Sequence, residues 1–196
     1  MALNFDDLLL ASLAENALTS LKQLKKTLAV SESCTGGLLS MLLTEWPGSS
    51  SVFIGGLCAY SNTIKENILG VSRNLLLNFG AVSEDVALEM AKRTKKIFVA
   101  DYAISITGIA GPGGGTLAKP VGTVFHGVST PHGSFTCHNV FAGTRSEVRK
   151  HAARFALEVL LKEILKVTDF KMVTDSSVTF MKMGTEESVT LFPDSD

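Results

Sequence analysis

Thr27-Leu-Ala-Val-Ser-Glu-Ser-Cys-Thr-Gly-Gly-Leu-Leu-Ser-Met-Leu-Leu-Thr44 is the stretch from which the fold of this 196-residue chain is read. Leu28 to Val30 is a short apolar run, and leucine then recurs at Leu38, Leu39, Leu42 and Leu43 with helical spacing. The small polar residues between the two, Glu32-Ser33-Cys34-Thr35-Gly36-Gly37, belong on a tight strand-to-helix turn. Such a turn gathers hydroxyls, a thiol and free backbone N–H groups at a helix N-terminus, where a nucleophile or an anion can sit.

Outward from this stretch, composition sets the bounds. Hydrophobic residues make up 45% of the chain, enough for one domain with its own core. The chain divides into a compact unit, 1–167, and an acidic extension, 168–196, read as a hairpin, a partner-binding tail or disorder, with strand-like fragments at Ser177 to Met181 and Ser188 to Phe192. Val167 to Asp196 carries six acids and two bases, net −4, so against an overall −1 the remainder carries +3. A weakly basic body suits a small anion and falls far short of a nucleic-acid footprint, and Lys92 to Lys96, its basic cluster, reads as a solvated helix end. Neither a membrane helix nor a basic leader is visible, which points to a cytoplasmic protein with no membrane partner. Cys34, Cys58 and Cys137 are odd in number and widely spaced, so neither a disulfide framework nor a metal cluster is expected.

Along the chain, Asn4 to about Lys25 reads as a helix capped by Asn4. Val52 to Tyr60 reads as an apolar strand in which Gly55 and Gly56 imply a bulge or close packing. Thr63 to Leu69 is a short helix carrying Lys65, and Ser83 caps a helix with Glu84 and Asp85 in its first turn, running to about Phe98. Tyr102 to Thr107 is a buried strand that empties into Gly108-Ile-Ala-Gly-Pro-Gly-Gly-Gly115. Val121 to Thr130 and Ser134 to Phe141 are strands joined at Pro131-His132-Gly133. Thr144-Arg145-Ser146-Glu147 fits a capping box for a helix from Arg145 to about Val167. The expected architecture is α/β: three layers, with a mixed, mostly parallel central sheet and an antiparallel hairpin near residues 121–141.

Three loops then fall at strand carboxyl ends, where open α/β sheets bind ligands: Ser31 to Gly37, Tyr60 to Lys65, and Thr107 to Gly115. Ser33 as nucleophile, a partly buried Lys65 as its base, and amides around Cys34 to Gly37 as an oxyanion hole would make an acyl-transfer site. Cys34 is a rival nucleophile whose pKa a helix N-terminus would lower, although no histidine partners it. His126, His132, His138 and His151 all lie late in the chain, and no catalytic metal is expected. The glycine-rich run matches neither a dinucleotide-binding fingerprint nor a P-loop.

The wording of several segments is more telling than their spacing. Ser31-Glu-Ser-Cys-Thr-Gly-Gly37, Tyr60-Ser-Asn62 with Lys65, Leu69-Gly-Val71, Gly80-Ala-Val-Ser83, Thr107-Gly-Ile-Ala-Gly-Pro-Gly-Gly114 and Lys119-Pro-Val-Gly-Thr123 resemble the CinA C-terminal domain family, in the family's order. That resemblance implies a nicotinamide-nucleotide amidohydrolase, converting nicotinamide mononucleotide (NMN) and water to nicotinate mononucleotide and ammonia without a cofactor. It implies Ser33 as nucleophile and Lys65 and Tyr60 as proton-handling partners. It places Cys34, Thr35, Gly36, Gly37, Asn62, Thr107, Gly108, Gly111, Gly113 and Arg145 around the substrate, Arg145 being a candidate for the phosphate. A homo-oligomer is expected. The alternatives are a catalytically silent nucleotide-binding or regulatory module of the same fold, and hydrolysis of a different amide.

Overall fold

The structure, a computed structural model, describes residues 5–174. The expected cap at Asn4 and the strand-like fragments at Ser177 to Met181 and Ser188 to Phe192 lie outside the described residues. Strands β1 (Leu28–Glu32), β2 (Phe53–Cys58), β3 (Tyr102–Gly108), β4 (Thr123–Thr130) and β5 (Gly133–Val140) form one sheet in the order β2-β1-β3-β4-β5. β1 pairs in parallel with β2 and β3, while the pairs β3–β4 and β4–β5 are antiparallel, so β4 alone runs against the others. The sheet is mixed as expected, and the carboxyl ends of β1, β2 and β3 meet at one edge.

The period-2 alternation of the strands assigns the two faces. Leu28, Val30, Tyr102, Ile104, Ile106 and Val124 join one apolar cluster with α1 (Phe5–Gln23), α2 (Leu38–Thr44) and α6 (Arg145–Thr174). The alternate positions are small: Ala29, Ala103, Ser105 and Gly127 are all buried on the other face or at its closest approach to α5 (Glu84–Phe98). Ser105 Oγ donates to the Ala87 carbonyl, and a Cβ at Gly127 would collide with that same carbonyl. Small residues thus bring α5 down onto the sheet. A second cluster of Ala59, Leu69, Val71, Leu76, Val86 and Met90 joins α5 to α3 (Asn62–Asn67) and α4 (Arg73–Phe79).

The caps follow their sequence signals. Ser61 accepts from Ile64 N–H at 3.2 Å and Ser83 from Val86 N–H at 3.4 Å. Thr144 and Glu147 form the reciprocal box that starts α6, with Thr144 N–H donating to the Glu147 carboxylate at 2.7 Å. Helix α6 runs to Thr174, seven residues beyond the expected end at Val167. Helix α4 was not anticipated, because Leu75-Leu76-Leu77 carries neither a 3.6 nor a 2 period. The bulge expected in β2 is present: register shifts between Leu28 and Ala29 opposite Phe53 and Gly55.

Candidate active site

Glu32 ends β1 and is 1% exposed, yet it forms no ion pair among the described residues. Its carboxylate instead accepts from Gly37 N–H (3.1 Å), Leu39 N–H (3.0 Å), Ser40 N–H (2.8 Å) and Ser40 Oγ–H (2.7 Å). These are the orphan donors at the start of α2, so the acid caps the helix that follows its own strand. Gly36 and Gly37 make the reversal possible with φ of +60° and +90°, a region where other L-residues are strained. The oxyanion donors expected across Cys34 to Gly37 are therefore fewer. Gly36 N–H bonds the Ser33 carbonyl at 3.1 Å and Gly37 N–H is spent on Glu32, while Thr35 N–H has no partner among the described residues and Cys34 N–H has only its own thiol.

Ser33 is anchored by its own N–H to the Ile106 carbonyl of β3, 2.9 Å away. Lys65, on α3, is 1% exposed, and its Nζ lies 3.0 Å from Ser33 Oγ, 2.8 Å from the Ala59 carbonyl and 3.4 Å from the Tyr60 carbonyl. Among the described residues no carboxylate pairs with this ammonium, and burial pushes its pKa below the ordinary lysine value. A neutral amine has two N–H donors and one lone pair. The two carbonyls and the Ser33 hydroxyl accept from the three N–H groups of the ammonium, and loss of one proton would leave a lone pair able to face Ser33 Oγ while two N–H groups keep the carbonyls.

Tyr60 is placed differently from expectation. Its ring is 58% exposed, and its hydroxyl accepts from Arg145 Nη2 at 2.9 Å, so it reaches the Ser33–Lys65 pair through its main-chain carbonyl alone. Arg145, the first residue of α6, also donates from Nη1 to the Gly111 carbonyl at 3.0 Å, bridging the β2–α3 loop and the glycine-rich loop. Thr107 is buried and gives its hydroxyl to the Ala81 carbonyl at 2.7 Å, which makes it a support of the wall. Ser33, Cys34, Tyr60, Asn62, Lys65, Thr107, Gly108, Gly111, Gly113 and Arg145 all line one cavity of about 310 Å³. Thr35, Gly36 and Gly37 stand behind it, in the turn.

Cys34 departs from expectation. Burial pushes its thiol up to about 12, although its own backbone N–H acts in the other direction. It is therefore a poor rival to Ser33. His126, also buried, packs its Nε2 3.0 Å from the Ala152 carbonyl on the far side of β4, away from the cavity.

A model of the CinA C-terminal domain matches residues 10–164. The chain belongs to the CinA C-terminal domain family. It is 51% identical over 144 residues to a CinA-like protein of Thermotoga neapolitana, covering 74% of this chain and 35% of that protein. The corresponding figures for a CinA-like protein of Desulfotalea psychrophila are 48% over 140 residues, 71% and 34%. The chain thus spans about a third of the length of the curated relatives it matches. Two solved structures share the fold. The competence/damage inducible protein CihA from Agrobacterium tumefaciens is 38% identical, with a TM-score of 0.76, 83% of this chain and 98% of that one covered. A competence-damaged protein (CinA) superfamily member from Enterobacter cloacae is 34% identical, with a TM-score of 0.76 and coverage of 79% and 92%.

Within this CinA domain, two side chains of the site were not singled out from sequence. Glu32 was read as part of the turn without a role. Arg149, one helical turn after Arg145, donates from Nε and Nη2 to the Thr35 carbonyl at 3.0 and 2.7 Å and so clamps the Ser33 turn to α6. The signal available was the i, i+4 spacing of the two arginines, which puts both on the face of α6 that meets the site. Among the described residues no helix is long and apolar enough to cross a membrane.

Proposed function

We propose that this domain hydrolyses the carboxamide of NMN, giving nicotinate mononucleotide and ammonia through a serine-bound acyl intermediate. The observation that carries the reading is Lys65: a buried lysine without a counter-ion among the described residues, 3.0 Å from a serine hydroxyl at the wall of a cavity. Structural lysines are rarely buried in this way, whereas a general base needs its neutral form. Family membership places the chain among CinA proteins, and the chemistry rests on the site itself.

In the first half-reaction Ser33 Oγ attacks the amide carbon as its proton passes to Lys65 Nζ. The carbonyl oxygen takes the negative charge beside the Cys34 N–H at the cavity wall. When the C–N bond breaks, the Lys65 ammonium returns its proton to the departing nitrogen, which leaves as ammonia. A water then gives its proton to Lys65 and attacks the Ser33 ester, and the carboxylate departs as Ser33 recovers its proton. Arg145 receives the phosphate: its guanidinium is exposed, and its present partners, the Gly111 carbonyl and the Tyr60 hydroxyl, are neutral. Tyr60, whose hydroxyl bonds Arg145, holds that guanidinium in place in this scheme.

Ammonia release from NMN, run beside nicotinamide and nicotinamide riboside, tests the reading. Turnover of NMN that is lost in Ser33→Ala and in Lys65→Ala, and weak without the phosphate, is expected. Calorimetric binding of NMN with no turnover at high enzyme concentration would overturn it in favour of a silent nucleotide-binding module.

A further inference from the structure

The Gly80-Ala-Val-Ser83 and Lys119-Pro-Val-Gly-Thr123 motifs take no part in the chemistry above, yet the structure ties them together. Lys119 Nζ donates to the Phe79 carbonyl at 3.0 Å and to the Val82 carbonyl at 2.6 Å. The two carbonyls between are also taken, Gly80 by Ser83 Oγ at 2.9 Å and Ala81 by Thr107 Oγ1 at 2.7 Å. Four consecutive carbonyls in the α4–α5 connection therefore accept from side chains, two of them from one ammonium.

The base of that lysine is fixed as well. Thr116 N–H donates to the Lys119 carbonyl at 2.8 Å and Lys119 N–H to Thr116 Oγ1 at 3.0 Å, closing the turn that carries it. What Lys119 holds matters because Ala81 and Val82 line the same cavity as Ser33, Lys65 and Arg145, whereas Lys119 does not. With the carbonyls spent on the protein, the N–H groups of Ala81 and Val82, which have no partner among the described residues, are the unspent polarity of this wall.

We propose that Lys119 is a positioning residue for the substrate pocket, a strut that fixes the Ala81–Val82 wall so that its N–H donors face the oxygen-rich part of a nucleotide. This rests on the functional reading above for its substrate, but the strut can be measured without it. Loss of the strut leaves the Ser33–Lys65 geometry alone, because no bond of Lys119 touches either residue.

The test pairs Lys119→Met with Lys119→Arg and Thr116→Val, read by NMN kinetics and by hydrogen exchange at the bonded amides that flank the wall, Gly80 N–H on the Leu76 carbonyl and Val86 N–H on Ser83 Oγ. In Lys119→Met, KM rises about tenfold while kcat changes by less than about threefold, the size expected for loss of a charge-assisted bond. Exchange at Gly80 and Val86 quickens, Lys119→Arg restores part of both, and Thr116→Val shifts both in the same direction by less. An unchanged KM, or an equal fall in kcat and kcat/KM, overturns the positioning role. Should wild-type protein release no ammonia from NMN, the functional reading fails, and exchange alone decides Lys119. Faster exchange in Lys119→Met then sustains the strut, and unchanged exchange refutes it.

Discussion

Glu32→Gln isolates what the internal cap of α2 contributes, because the side chain keeps its shape and loses its charge. The four donors divide between the two oxygens, Gly37 and Leu39 N–H on Oε2 and Ser40 N–H and Oγ–H on Oε1. A glutamine can keep its oxygen on the Gly37 and Leu39 amides and turn its NH2 to Ser40, whose hydroxyl rotates to accept. Ser40 N–H is then the one group left without an acceptor. An orphaned amide costs about 1–3 kcal/mol, and each bond that changes from charged to neutral loses up to about 1 more, which gives roughly 3 kcal/mol in all. Urea unfolding reads this as a fall in midpoint of about 1.5 M at unchanged m-value. A shift below about 0.3 M would refute the reasoning, since it would mean the carboxylate is no better an acceptor here than an amide.

Three further expectations follow from buried titrating groups. Because burial lowers the Lys65 pKa, the folded chain binds fewer protons than the unfolded one from that depressed value up to the ordinary lysine value, and stability rises with pH across this window. Lys65→Met flattens the rise, and parallel stability curves for the two proteins on the alkaline side, up to the ordinary lysine value of 10.5, would contradict it. His126 is pushed down to about 4 from 6.5 by burial, so its contribution is present above pH 6.5 and lost as pH falls toward 4. The loss is about 3 kcal/mol, and a His126→Phe chain should show a shallower acid transition. Iodoacetamide on the native protein should modify exposed Cys58 and spare Cys34, whose thiol is buried and held near 12. Mass mapping of the alkylated sites checks this, and modification at Cys34 first would be the contrary result.

The strands, the hairpin, the capped helices and the loop edge were legible because each announces itself locally: apolar runs, Ser83, Thr144 and Glu147, Pro131-His132. The meeting of Ser33 with Lys65 was legible at one remove, since both follow strands whose carboxyl ends share one edge of the sheet, while the order that makes β1 and β2 neighbours was not. What escaped was decided by contacts far apart in the chain. Lys65 shows as buried only once α3 is folded over β2, and Tyr60 points at Arg145, 85 residues away, which no local pattern foretells. Helix α4 escaped for a different reason, as one of its three leucines is buried and the next is 72% exposed. The tight turn expected to lower the Cys34 pKa has its Gly37, Leu39 and Ser40 donors occupied by Glu32, and burial then decides the thiol.

The reversed direction of β4 has a practical corollary. It sends the turn at Pro131 and His132 to the end of the sheet opposite Ser33, where both residues are exposed and Thr130 already pairs with Gly133. Nothing that borders the cavity passes through that turn, and loop tips of this kind accept inserted sequence readily. A peptide tag spliced between Pro131 and His132 would tether the protein to a sensor surface with its cavity turned toward solution.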